Sequence, residues 1–154
     1  MTTPQRFRVL FICIGNACRS QLAESIARRH APDIIEPQSA GLRPLGFLPE
    51  LTTQTLLANN CSIERLSSKP IRLEELQDAD LIVNLSGLPL EMAFNGRFTP
   101  AAPSCEMGEN VEEWDIADPY GADASLYQQI FREIEERVQQ LAGRLRAVKR
   151  PTHA

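Results

Sequence analysis

The stretch Arg6-Phe7-Arg8-Val9-Leu10-Phe11-Ile12-Cys13, continued by Ile14-Gly15-Asn16-Ala17-Cys18-Arg19-Ser20, decides the fold. Val9 to Cys13 is an unbroken β-rich apolar run, the pattern of a strand buried on both faces as in a parallel sheet. Gly15 and Asn16 break it. From Arg19 the periodicity turns helical: Leu22, Ala23 and Ile26 fall on one face, Glu24, Arg28 and Arg29 on the other, and Pro32 stops the helix. The order is therefore strand, tight loop, helix.

Outward from this unit, Ile34 to Gly41 supplies a second strand and Pro49 to Asn60 a second helix, with Leu51, Thr55 and Leu56 facing inward. A helical turn at Leu73 to Leu76 leads into a third strand, Ala79 to Leu85. Gly87 to Gly96 predicts a short helix, Thr99 to Gly108 a surface loop punctuated by Pro100 and Pro103, and Glu113 to Ile116 a short strand. Beyond Gly121, residues Tyr127, Ile130, Phe131, Ile134, Val138, Leu141 and Leu145 share one helical face. Asp123 or Ser125 can cap that helix, and Arg144, Arg146 and Lys149 suit its end. Strands alternating with helices predict a three-layer α/β/α domain around a four-stranded parallel sheet, with ligands bound beyond the strands' carboxyl ends. The loop after the first strand is the place to look.

The 154 residues, 43% hydrophobic and 23% charged, suit one domain spanning 1–154, with a core large enough to fold without disulfide staples. The four cysteines need another explanation. A formal charge of −4 argues against nucleic acid as the main partner. No apolar run approaches a membrane span and no secretory leader pattern precedes the first strand, so the expectation is a cytoplasmic protein without a membrane partner. With His30 and His153 as the two histidines, no metal-ligand cluster is visible, and the nucleotide-binding G-x-x-x-x-G-K-[ST] pattern is missing. Neither metal nor cofactor is expected.

Cys13 ends a buried strand and faces a helix's first turn, where unpaired N–H groups and the positive end of the helix dipole favour an anion. Gly15 lets the backbone curl inward. Arg19 can grip two oxygens of a tetrahedral oxyanion with its planar fork, beside the backbone N–H groups of Ile14, Gly15, Asn16, Ala17, Cys18 and Arg19. Thiols in such fields ionise more readily than free cysteine, and Ser20 can donate to the thiolate. A thiolate beneath a bound phosphate can attack phosphorus in line, giving a cysteinyl-phosphate that water hydrolyses. Plainer roles stand beside these. Cys13 could be a small buried hydrophobe, Asp118 a turn residue before Pro119, and Tyr120 simple packing; Trp114 reads as core and Cys61 as structural. Cys18 could bond reversibly with Cys13 or pack under the loop, and Cys105 could be a resolving thiol or an exposed one.

Phe11-Ile12-Cys13-Ile14-Gly15-Asn16-Ala17-Cys18-Arg19-Ser20, with Leu22-Ala23-Glu24 after it, resembles the signature of the low-molecular-weight protein-tyrosine phosphatases. Ser39-Ala40-Gly41, Ser68-Lys69 and Asp118-Pro119-Tyr120 extend the resemblance over nearly the whole chain. It implies that Cys13 is the nucleophile, that Arg19 binds and stabilises the phosphoryl group, and that Asp118 is general acid, then base. It also implies that Tyr120 lines the mouth and that Ser39 supports Asn16. The activity implied is hydrolysis of phosphotyrosine in protein substrates. Gln21 stands where phosphatases usually have proline and is more typical of the related arsenate reductases. Asn84-Leu85-Ser86 occupies the place of the resolving cysteine of thioredoxin-linked reductases, Leu66 that of a family histidine, and Ala17 that of the threonine of phosphoarginine-preferring relatives. Thiol-dependent arsenate reduction and phosphoarginine hydrolysis are the alternatives, with a catalytically silent anion-binding module as the rival from another class.

Overall fold

The computed structural model describes residues 5–89 and 110–148. In chain order they form β1 (Phe7–Cys13), α1 (Arg19–His30), β2 (Ile35–Gly41), α2 (Glu50–Ala58), α3 (Leu73–Asp78), β3 (Leu81–Asn84), β4 (Val111–Glu113) and α4 (Ala124–Arg146). The strands make one four-stranded sheet in the order β2-β1-β3-β4, and every pairing is parallel. β1 is central because Val9 to Cys13 can bury both faces. Phe7 pairs with Ile35 and Cys13 with Gly41 on one side, and Ile12 pairs with Asn84 on the other. The carboxyl ends of three strands thus meet at Cys13.

Alternation along β1 sorts the core into two layers. Val9, Phe11 and Cys13 pack with Leu22 and Ile26 of α1 and with Ile130, Phe131, Ile134 and Val138 of α4. Leu10 and Ile12 face Ala40, Ile71, Leu76 and Ile82. Helices therefore cover both faces, the three-layer arrangement expected from the sequence. Each fully buried Leu, Ile or Phe in these layers contributes about 1.5–3 kcal/mol through its transfer from water. Asp123 caps α4 by accepting from the Leu126 N–H at 3.0 Å, and Trp114 is core, its ring 5.8 Å from that of Phe11.

Two boundaries differ from the sequence pattern. The third strand starts at Leu81 because the Asp80 carboxylate turns to accept from the Arg8 N–H at 2.7 Å. The fourth lies at Val111–Glu113 rather than Glu113 to Ile116: after Trp114 donates to the Asn84 carbonyl the chain leaves the ladder, although Trp114 and Ile116 still alternate inward. The expected helix from Gly87 and the loop from Thr99 fall, from residue 90 to 109, outside the described residues, as do Cys105 and His153. Among the described residues no helix is long and apolar enough to cross a membrane.

Candidate active site

The loop between β1 and α1 is held in place atom by atom. Cys13, 2% exposed, sits on its floor with Sγ 2.9 Å from the Ser20 hydroxyl. Asn16 adopts a left-handed backbone (φ 48°) and is fully buried. Its Nδ2 donates to Ser20 Oγ at 2.7 Å, and its Oδ1 accepts from the Lys69 backbone N–H at 2.9 Å. Asparagine tolerates this conformation better than most residues. The loop's outer carbonyls are also taken: those of Cys13, Ile14 and Gly15 accept from the N–H groups of Leu42, Arg43 and Leu45, and the Ser68 hydroxyl donates to the Gly15 carbonyl at 2.9 Å.

With carbonyls bound outward, the loop's N–H groups are left for its concave side, at the start of a helix whose first turn carries no acidic residue and whose N-cap makes no side-chain bond. Arg19 completes the cradle. Its Nη1 donates to the Leu85 carbonyl at 2.6 Å and the Ile116 carbonyl at 3.2 Å. Its Nη2 lies 3.6 Å from the Asp118 carboxylate, while Nε is buried without a partner. One edge of the guanidinium is thus fixed by protein and the Nε–Nη2 edge is available for a fork-like grip. Asp118 is half-exposed and its other oxygen accepts from the Tyr120 N–H at 3.1 Å. Tyr120, whose N–H bonds Asp118, is exposed, as are Ile14 of the loop and Leu45, whose N–H bonds the Gly15 carbonyl.

The structure brings Cys13, Asn16 and Ser20 together within the loop of residues 13–20 and sets Asp118 beside Arg19 of that loop. Ser39 does not take the place foreseen for it. Its hydroxyl donates to the buried Glu24 carboxylate at 2.6 Å rather than to Asn16, because a charged acceptor within reach makes the stronger bond; Arg28 pairs with the same carboxylate. Cys18 packs under the loop with Ala17 and Tyr127, its Sγ 3.1 Å from the Tyr127 hydroxyl. Burial pushes the Cys18 thiol above its ordinary range, outweighing the hydrogen bonds from Tyr127 and Thr52. Cys13, Cys18 and Cys61 are all free thiols, and Cys61 belongs to the core.

Other supports escaped the sequence. Gln21, fully buried, donates through Nε2 to the carbonyls of Asn16 and Ser67, each at 2.8 Å, fastening the loop to the 62–70 segment; its residue type hinted at a difference but not at this contact. Thr52 holds the Ala17 carbonyl at 2.8 Å. Gly41 lets Asn16 approach, since a Cβ there would meet Asn16 N at 2.8 Å. Among the described residues no group of His, Cys, Asp and Glu could hold a metal ion.

The parallel three-layer fold, with Cys13, Arg19 and Ser20 brought together at one strand–loop–helix junction, is one shared by phosphatases and arsenate reductases. The sequence model described as "Low molecular weight phosphotyrosine protein phosphatase" matches residues 8–151, and the chain belongs to that family. It is 29% identical to an arsenate reductase of Bacillus cereus, covering 87% of this chain and 92% of that protein. To the protein-arginine-phosphatase of Bacillus subtilis it is 28% identical, over 92% of this chain and 99% of the relative. In fold it is similar to the arginine phosphatase of Geobacillus stearothermophilus (TM-score 0.77, 23% identity, 91% and 93% covered). The same holds for a tyrosine phosphatase of Erwinia amylovora (TM-score 0.76, 21% identity, 92% and 94% covered).

Proposed function

We propose that the chain, as one domain over residues 1–154, hydrolyses aryl phosphate monoesters, phosphotyrosine in proteins above all, through a cysteinyl-phosphate. The observation that carries this reading is the divided guanidinium of Arg19: Nη1 pinned to two carbonyls, Nε buried and unpartnered, in the loop whose floor is the Ser20-bonded thiol of Cys13.

With the oxyanion held by the loop N–H groups and the Nε–Nη2 edge, the Cys13 thiolate attacks phosphorus opposite the ester oxygen. The S–P bond forms as the P–O bond breaks, and Asp118 passes a proton to the departing phenolate. Asp118, now a carboxylate, takes a proton from water as that water attacks the cysteinyl-phosphate, releasing inorganic phosphate and the thiolate. Ser20 donates to Cys13 and stabilises it as the leaving thiolate in this second step. The exposed ring of Tyr120, beside Asp118, favours a flat aromatic leaving group.

The second reading is arsenate reduction by an external thiol, favoured by Gln21 and by the relative's activity. A route through an internal resolving cysteine finds little support among the described residues: Asn84-Leu85-Ser86 offers no thiol, Cys61 is core and Cys18 is engaged by Tyr127. The test is parallel turnover of phosphotyrosine peptide and para-nitrophenyl phosphate without reductant, of a phosphoarginine peptide, and of arsenate with a thioredoxin system. Hydrolysis of the aryl esters should dominate, and Cys13→Ser should abolish it while retaining phosphate and vanadate binding. Preferred turnover of phosphoarginine or arsenate would refute the substrate assignment, and aryl phosphate turnover by Cys13→Ser within about tenfold of the parent would refute the covalent route.

A further inference from the structure

The carbonyl that pins Arg19 most tightly belongs to Leu85, and the residues on either side of Leu85 are locked to each other. Asn84, 2% exposed at the end of β3, accepts through Oδ1 from the Ser86 backbone N–H at 3.0 Å and from the Ser86 hydroxyl at 2.6 Å. Its Nδ2 donates to the Leu88 carbonyl at 2.7 Å, and the Leu88 N–H returns to Ser86 Oγ at 3.1 Å. The chain enters this knot on fixed ground, because the Leu85 N–H donates to the Ile12 carbonyl at 2.7 Å and the Asn84 carbonyl accepts from Trp114.

The consequence follows from peptide geometry. The Leu85 carbonyl and the Ser86 N–H belong to one planar trans peptide and point in opposite directions. Holding the Ser86 N–H against Asn84 Oδ1 therefore fixes the direction of the Leu85 carbonyl, whose oxygen accepts from Arg19 Nη1 at 2.6 Å. A buried asparagine on a short parallel strand is costly to desolvate and is otherwise a poor strand residue. Its carboxamide is engaged at both ends, with Nδ2 also 3.4 Å from Glu113 Oε1.

We propose that Asn84 and Ser86 form a clasp that positions Arg19, setting the plane of its guanidinium through the Leu85 carbonyl and so the affinity of the loop for an oxyanion. Neither touches the anion: both are positioning residues. The inference rests on the anion-binding role of Arg19 proposed above and adds a determinant drawn from the β3 end.

The experiment measures phosphate and vanadate binding by calorimetry for the parent, Asn84→Val, Ser86→Ala, the double variant and the control Glu113→Gln, with thermal melts to establish folding. Each single variant should weaken both anions about tenfold, as expected for loss of one buried polar contact that orients a charge. Because the two residues act through a shared bond, the double variant should bind within about twofold of the weaker single, whereas independent effects would multiply. Glu113→Gln should bind like the parent. Folded single variants with parent affinity, or effects that multiply in the double variant, would overturn the clasp. If Asn84→Val does not fold, Asn84→Ser, which withdraws the acceptor from the Ser86 backbone N–H, decides by the same affinity criterion. A parent that binds neither anion refutes the anion-binding reading and the clasp with it; a parent that binds, with unchanged variants, refutes the clasp alone.

Discussion

Replacing Gly41 by alanine isolates what the close approach of β2 does for the loop. The glycine pairs with Cys13 at the end of β2, and its need for hydrogen at Cα is steric: an added Cβ would stand 2.8 Å from Asn16 Cβ, 2.8 Å from Asn16 N and 2.9 Å from the Ile14 carbonyl oxygen. Each is about half an ångström inside ordinary contact, and two of the three are backbone atoms of the loop itself. Asn16 cannot step aside readily, because its left-handed backbone and its bonds to Ser20 and Lys69 already fix it. Overpacking of this kind costs about 1–3 kcal/mol, which in a domain of this size lowers Tm by roughly 3–10 °C. The loop must move by about 0.5–1 Å to relieve it, and misplacement on that scale costs up to about 10²-fold in rate. Gly41→Ala should therefore lose about 10- to 100-fold in kcat/KM for para-nitrophenyl phosphate, with weakened phosphate inhibition. Gly46→Ala is the control. It meets open space but has φ +89°, so it should cost stability through backbone strain with much less effect on turnover. A folded Gly41→Ala enzyme with kcat/KM within about threefold of the parent would refute the steric reasoning.

Asp118→Asn should slow cysteine phosphorylation by about 10²–10⁴-fold for phosphotyrosine and less for para-nitrophenyl phosphate, whose leaving group needs a proton less; equal dependence on leaving-group pKa in both enzymes would remove Asp118 as the acid. Gly143 lies in α4 with open space where a Cβ would go, so Gly143→Ala should raise stability by about 0.5–1 kcal/mol without altering kcat/KM, and a fall in Tm would contradict this. Burial raises the Cys18 thiol above its ordinary 9.0, so the folded chain holds that proton more tightly than the unfolded one. The stability this contributes is fully present below about pH 9 and lost as pH rises through the folded value. Cys18→Ser should accordingly show a shallower alkaline decline in Tm than the parent, and an unchanged decline would count against it.

The parts legible from sequence were those in which one physical rule acted alone. Val9 to Cys13 must bury both faces, and the apolar face of α4 repeats at helical period over Tyr127 to Leu145, so both elements announced themselves. The fourth strand misled because Trp114 and Ile116 alternate inward for the core, not for the ladder. In the site, Cys13, Asn16, Arg19 and Ser20 lie within one loop and share one local pattern, whereas family likeness alone points to Asp118. The supports from Gly41, Thr52, Asn84 and Ser86 act across contacts between elements far apart in the chain. No local pattern encodes them. Ser39 was misplaced for a related reason: whether its hydroxyl meets Asn16 or Glu24 depends on the packing of α1 against β2, and the buried carboxylate prevailed.

The supporting residues can depart from the family pattern because their task is less specific than that of the reacting ones. A nucleophile beneath phosphorus and a fork that grips two oxygens restrict the choice to few side chains. Directing a carbonyl or fastening a loop requires only a donor or acceptor of the right reach, which Gln21 supplies from the first turn of α1 and Asn84 from the end of β3. Arg19 joins the two kinds of task. By donating through Nη1 to both Leu85 and Ile116, it ties the chain beyond β3 to the chain beyond β4, and Asp118 follows Ile116 by two residues, 3.6 Å from Nη2. In the proposed mechanism the residue that grips the anion thus also sets where the acid stands. Lysine would keep the charge but has no planar fork to divide between two carbonyls and the oxyanion of the proposed reaction, so on that reading arginine is required by geometry as much as by charge.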